Sequence, residues 1–463
     1  MLRSMYSGVS GLRVHQNKMD VIGNNIANVN TVGYKRSTMT FQEVFSQVIR
    51  GASAPQGGRG GTNPQQIGLG VSIGSINTIH TKGAALRTDN PEDLMIDGEG
   101  FFVVSDDENF ENRFYTRAGN FTLDKDGNLV TADGYKVLGY LVDENGDITN
   151  QVGAIRVNRS ETVAATATEN IQFRGNLDSR LKEDDKHEVD TIIKDSLGNS
   201  YTVTFNFQKG ASEADGTTWV LSVSRITDQA TGNYFEPGST NIFDGDATGN
   251  SLNIKFDKNG KIVSIGNSSL NDLDKVLLNL ETLSFNKDKN NGDINPPVLP
   301  AGLFGTGGNG QIVIFDGEDS KIASNLTQYA NDMDAKPYAL DGNSSGKLDG
   351  YAIDSSGVVV GIFSNGERKA LGQIMLAKFD NPMGLQKAGN NFFVDTRNSG
   401  EPQYGRAGSG GFGAIAPGTL EASNVDLALE FTEMITTQRG FQANSRIITT
   451  SDEMLQELVN IKR

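Results

Sequence analysis

Residues 2–29 read LRSMYSGVSGLRVHQNKMDVIGNNIANV, and the spacing of their apolar side chains decides the fold class. Leu2, Met5, Val9, Leu12, Met19, Ile22, Ile26 and Val29 recur at intervals of three and four, with Gln16 as the polar member of the seam. That is the heptad stripe of an amphipathic helix that lies against another helix. Asn30 and Gly33 follow, and both tolerate the left-handed backbone conformation that stops helices.

The other end repeats the device. Pro417 and Gly418 break the chain, Ser423 with Asp426 reads as a capping-box start, and Leu427, Phe431, Met434, Phe441, Ile448, Leu455 and Val459 recur at three-four spacing. Gln438, Ser445 and Asp452 interrupt this stripe. Acidic Asp426, Glu430 and Glu433 at its start and Lys462 and Arg463 at its end suit the helix dipole. A long helix is expected at each terminus. No comparable helix is written into the middle, so the two stripes can pair with each other or with neighbouring copies. A lone copy would leave apolar surface exposed, which favours oligomerisation or disorder until assembly. The plainer alternative is an antiparallel pair that closes one domain.

Between the ends the period falls to two, as in Tyr201–Phe207 (YTVTFNF) and Trp219–Ser224 (WVLSVS). One turn signal recurs, Asp-x-x-Gly, at Asp124–Gly127, Asp143–Gly146, Asp195–Gly198, Asp257–Gly260 and Asp354–Gly357. Asp bonds its own backbone two residues on, and Gly takes the positive-φ position of a hairpin loop. The middle is expected to be antiparallel β-structure. Gly51 to Gly70, with Gly57, Gly58, Gly60 and Gly61, reads as an irregular connector.

At 463 residues the chain has room for several domains, and a 36% hydrophobic fraction with 55 Gly is that of a globular protein. A net charge of -16 without a basic stripe argues against nucleic acid. With no Cys, disulfides, thiolate metal sites and cysteine nucleophiles are all excluded. The stretch from Met1 to Gly23 interleaves Arg3, Arg13, His15, Lys18 and Asp20 with apolar residues, so no cleavable secretory signal is read there. No run is long enough for a membrane-inserted helix.

Catalytic and cofactor signals are sparse. His15, His80 and His187 fall on different elements without metal-ligand spacing. Gly408–Gly413 carries the letters of a dinucleotide fingerprint, but Pro417 and Gly418 intervene before any helix, so a loop is expected and no cofactor. Asp124–Asn128 imitates a calcium loop, yet Leu129 stands where Gly is needed and Tyr135 where the bidentate Glu belongs. No catalytic residue, cofactor or metal ligand is assigned. A secreted β-rich adhesin with Tyr201 and Trp219 as a stacking surface is the alternative of another class, although such aromatics more often sit in a core.

The segment Asn24, Asn25, Ile26, Ala27, Asn28, Val29, Asn30, Thr31, Val32, Gly33, Tyr34, Lys35 resembles the N-terminal signature of the flagellar rod, hook and hook-associated protein family. Further resemblances follow in order at Asp97–Val103, Phe114–Asn120 and Leu420–Arg446, and the large middle insertion is similar to hook members rather than to distal rod or junction members. The resemblance implies an α+β multidomain chain. Residues 1–35 and 420–463 would form an inner coiled-coil domain, 36–88 an irregular connector or extended hairpin, 89–177 with 326–419 a first β-domain, and 178–325 an inserted outer β-domain. It implies a homopolymeric, flexible, hollow tube that acts as a universal joint between motor and filament. Implied partners are the distal rod protein, the hook cap protein, the hook-associated junction protein and the flagellar type III export apparatus. The chain is expected outside the cell in the flagellum. The apolar stripes from Leu2 to Ile26 and from Leu427 to Val459 would form the assembly interface.

Overall fold

The computed structural model describes residues 2–461 except 56, 59, 144–145, 214–215, 239, 241, 245–249, 267, 270–274, 282, 289, 291, 301, 306–308 and 316–324. Both ends fold as their periodicity demands, with α1 spanning Leu2–Ala27 and α2 spanning Leu427–Ile461. Beyond α1 the chain turns at Gly33, whose φ is +69°. A Cβ there would lie 2.5 Å from the backbone nitrogen of Ala118, so no side chain fits.

The start of α2 corrects one expectation. Asp426 alone caps it, its Oδ1 accepting the N–H groups of Ala428 at 2.9 Å and Leu429 at 3.3 Å. Ser423 Oγ is spent on the Val425 N–H at 3.3 Å. The helix begins too late for Ser423 to reach its unpaired donors. Lys462 and Arg463 lie outside the described residues.

Residues 36–88, expected as an irregular connector or an extended hairpin, are largely a hairpin. Ser37–Glu43 pairs antiparallel with Val71–Thr78, and Ser46–Arg50 with Gln65–Gly68. The irregular part shrinks to the tip between them, where Ser53 bridges Thr62. Ladder pairing satisfies backbone groups that an irregular loop would leave to water.

The chain divides into two compact units, one of Met1–Arg159, Gly350–Ile362 and Arg368–Arg463, the other of Ser160–Asp349 and Phe363–Glu367. In the first, Phe101–Ser105 is bonded antiparallel to Phe114–Thr116, Lys136–Val142 and Arg368–Lys378. Phe101, Val103, Tyr115, Leu138, Met375 and Phe393 fill its core.

The second unit is a meander of Lys186–Lys194, Ser200–Glu213, Gly216–Asp228 and Ser251–Phe256. Strand alternation turns Val203, Phe205, Phe207, Trp219, Leu221 and Val223 inward. Tyr201 and Trp219 are 3% and 0% exposed, so neither offers a stacking surface.

The limits of the inserted unit also shift. Ile171–Asp178 pairs parallel with Leu326–Tyr329 and antiparallel with Lys336–Ala339, so cuts at 178 and 325 would split one sheet. The parallel pair departs from the all-antiparallel expectation. The long excursion between its two strands permits it.

The Asp-x-x-Gly turns hold throughout. Glycines 127, 146, 198, 260 and 357 all have φ between +76° and +92°. Asp124, Asp195, Asp257 and Asp354 each accept N–H groups two and four residues on. This occupies the Asp124 carboxylate of the calcium-like stretch. Gly408–Gly413 is a loop that enters the strand Ala414–Pro417, not a helix.

Candidate assembly site at the chain termini

α1 and α2 pack side by side and antiparallel, and glycines set how close they come. A Cβ on Gly8 would lie 3.3 Å from Ile448 Cγ1, and one on Gly11 would lie 2.8 Å from the Asn444 amide. One on Gly440 would strike the His15 ring at 2.6 Å. Lys18 pairs with Glu433 at 3.1 Å farther along. The seam therefore runs through Gly8, Gly11, His15, Lys18 and Asn25 against Glu430, Glu433, Gly440 and Asn444, with Thr437 and Ser451 buried on α2.

Each of these α1 positions precedes a position of the expected heptad frame by one residue, as does most of the α2 seam. One residue is a rotation of about 100° around a helix. Most of the expected apolar stripes therefore flank the seam, while Ile448 meets Gly8 and Ile22 is buried. Met5, Leu12, Met19, Ile26, Met434, Phe441, Ile448 and Leu455 are half-buried, and Ile22 is buried. Val9, Leu427, Phe431 and Val459 are exposed, and the Leu2 side chain lies outside the described residues. Tyr6 and Ile435 add further exposed surface at 73% and 58%. The small-residue spacing of Gly8, Gly11 and Gly440 was the signal that could have located the seam.

The signature residues form a clamp at the base of this pair. Asn25 Nδ2 donates to Ser37 O at 2.8 Å and to the Glu430 carboxylate at 3.2 Å. Its Oδ1 accepts from Ser37 N–H at 3.0 Å and Tyr34 O–H at 3.2 Å. Burial raises the pKa of both Tyr34 and Glu430. Asn24 and Thr31 are tied locally to Asn28, whereas Ala27 and Asn30 are exposed.

Lys35 is the hidden member. Its Nζ donates to Glu421 Oε1 at 2.6 Å and to Thr81 O at 2.7 Å, with both charged side chains fully buried. Arg117 Nη1 reaches Glu421 Oε2 at 3.5 Å. Burial lowers the pKa of Lys35 and of Arg117, opposed in each case by the Glu421 charge. Nothing local in the sequence announces Glu421 or Arg117 as partners of Lys35.

His15 and His80 pack against aromatic rings. His15 meets Phe41 edge-on, and burial followed by the Lys18 charge lowers its pKa. His80 lies edge-on between Phe101 and Phe393. Burial, then Lys35, Arg117 and Lys387, bring its pKa down to about 4. No helix among the described residues is long and apolar enough to cross a membrane.

Helical termini seated side by side, with buried charges at their base and apolar flanks left open, are the features of a chain built to pack with other helices. Comparison with known proteins makes the class specific. A family model described as flagella basal body rod protein matches residues 5–35, and the flagellar hook protein FlgE/F/G D1 domain matches 95–174. The flagellar basal body protein FlaE D2 domain matches 176–343, and the flagellar basal body rod FlgEFG protein C-terminal model matches 416–461. The chain is 39% identical to the flagellar hook protein FlgE of Borreliella burgdorferi and 36% identical to that of Treponema pallidum, over all of each chain. It is 31% identical to the flagellar basal-body rod protein FlgG of Bacillus subtilis, also over full length. The chain belongs to the flagellar hook protein family, structural proteins of the bacterial flagellum.

Proposed function

We propose that the chain polymerises through its terminal helices into the short, flexible, hollow tube of the flagellar hook and transmits torque from the rod to the filament. The observation that carries this is the offset between seam and stripe. The intramolecular pair uses mainly small and polar residues, so Val9, Phe431, Ile435 and Val459 remain for coiled-coil-like contacts with other copies. Polar β-units then meet across small, wet contacts that reform cheaply as the tube bends. On this reading the chain leaves the cell unfolded through the flagellar type III export apparatus and without a cleavable signal. It joins the distal rod protein, the hook cap protein and the hook-associated junction protein.

Electron microscopy and sedimentation of purified protein test the proposal. Wild-type chain should form curved tubes. Phe431→Asp with Ile435→Asp should abolish them while the β-rich circular dichroism persists. Unaltered tubes from this variant would refute assembly through the helical flanks.

A further inference from the structure

The carboxylate of Glu421 is where stretches far apart in the first unit meet. Oε1 accepts Lys35 Nζ at 2.6 Å and the Gly83 N–H at 2.8 Å, while Oε2 faces Arg117 Nη1 at 3.5 Å. Arg117 also donates to Gly98 O at 2.8 Å. Adjacent backbone bonds tie the same stretches. The Gly33 N–H donates to Glu421 O at 2.8 Å, and the Ala422 N–H donates to Ala84 O at 2.8 Å. Asn424 accepts the Arg36 N–H at 2.8 Å and donates to Ile79 O at 2.8 Å. The Lys35 and Glu421 side chains are 0% exposed and Arg117 is 5% exposed.

Without Glu421 two buried cations would lose their counter-charge, a far worse state than an apolar replacement of the pair. Lys35 lies just beyond α1 and Glu421 just before α2, separated by 386 residues of chain. The turn that seats α1 therefore lacks its counter-ion until the last part of the chain is in place. We propose that Glu421 is a latch that makes the seating of α1 and of α2 one event, so neither helix is held in its assembled position without the other. A chain whose C-terminal stretch has not folded back then presents no half-built helical face to a growing polymer. That last consequence rests on the assembly reading above, whereas the latch itself does not.

The test uses the full-length chain, soluble and sedimented fractions separately, with a brief pulse of an amine-acetylating ester read by peptide mass spectrometry. In the fraction whose helices are protected from amide exchange, Lys35 should react at least about tenfold more slowly than Lys258, which is exposed on a turn. Glu421→Gln should bring Lys35 to the Lys258 rate and strip exchange protection from α1 and α2 together. The fluorescence of Trp219, buried in the inserted unit, should stay unchanged as a control for global unfolding. Adding both Lys35→Met and Arg117→Met to Glu421→Gln, so that neither buried cation is left without its counter-charge, should restore protection of both helices.

The latch is overturned if Lys35 labels as fast as Lys258 in both wild-type fractions. It is also overturned if Glu421→Gln frees only one helix or neither, if Trp219 emission moves with the loss, or if the triple variant stays unprotected. Tube formation is scored separately. Wild-type chain that shows the protection pattern but no tubes refutes the assembly reading and keeps the latch, and tubes with freely labelled Lys35 do the reverse.

Discussion

Phe205, Phe207 and Trp219 fill the middle of the inserted unit, whereas the interior of the helix pair holds Gly8, Gly11, His15, Thr437, Gly440 and Asn444. The first interior removes large aromatic surfaces from water, at roughly 25 cal/mol per Å². The second removes little, and close approach rather than apolar area defines it. The inserted unit can hence be stable within one copy, while the helix pair gains by covering its flanks with others. Charge follows the same division, because the one fully buried Lys–Glu pair among the described residues lies in the unit that carries the helices.

The largest expected effect tests the self-sufficiency of the inserted unit. Trp219→Ala should destabilise it by about 3–5 kcal/mol through the cavity left in a close-packed core. Chemical denaturation followed by far-ultraviolet circular dichroism would measure this, with amide exchange of α1 and α2 as the internal comparison. Equal loss in the helices would erase the contrast between the two regions.

A second prediction sets acid against the clamp. The folded pKa of His80 is about 4, below the ordinary value of 6.5, because burial and Lys35, Arg117 and Lys387 oppose a further positive charge. A lowered folded pKa means that the unfolded chain binds the proton first. Stability is therefore full above pH 6.5 and falls as the pH drops toward 4, by about 3 kcal/mol. His80→Gln should flatten the fall in stability across that window for the first unit. A slope identical to wild type would assign the acid sensitivity to other groups.

The parts legible in the sequence are those with a local cause. Two helices follow from three-four spacing, and five turns follow from an Asp and a Gly three residues apart. What escaped is what a distant partner decides. Periodicity shows that a helix has an apolar face, but Gly11 against Asn444 chooses which face meets α2. The limit of the inserted unit depends on Gly175 pairing with Leu326, and the role of Lys35 depends on Glu421, neither with a local pattern. The signature from Asn24 to Lys35 was readable as a resemblance. Its physical meaning, a clamp between helices and strands, required the fold.

Gly11→Leu probes the seam at smaller magnitude. Its side chain must displace the Asn444 amide, which donates to Gly440 O at 2.9 Å, so overpacking should cost about 1–3 kcal/mol despite better helix propensity. Faster amide exchange in both helices, with Trp219 fluorescence constant, is the expected pattern. A tightened helix pair would show that the glycines are not what brings the helices together.

The smallest effect belongs to the start of α2. Asp426 Oδ1 holds the N–H groups of Ala428 and Leu429, and the Asp426 carbonyl accepts the Glu430 N–H at 3.0 Å. Asp426→Ala removes the side-chain cap and a negative charge beside the positive end of the helix dipole, together worth about 1 kcal/mol. In a helix packed on a broad apolar core that loss would be absorbed within a far larger total. α2 has no such core within one copy, so the loss should appear as reduced helical ellipticity in the soluble chain and largely vanish in assembled tubes, where neighbours cover the flanks. Equal loss in both states would mean that the helix pair, like the inserted unit, is held by its own chain alone.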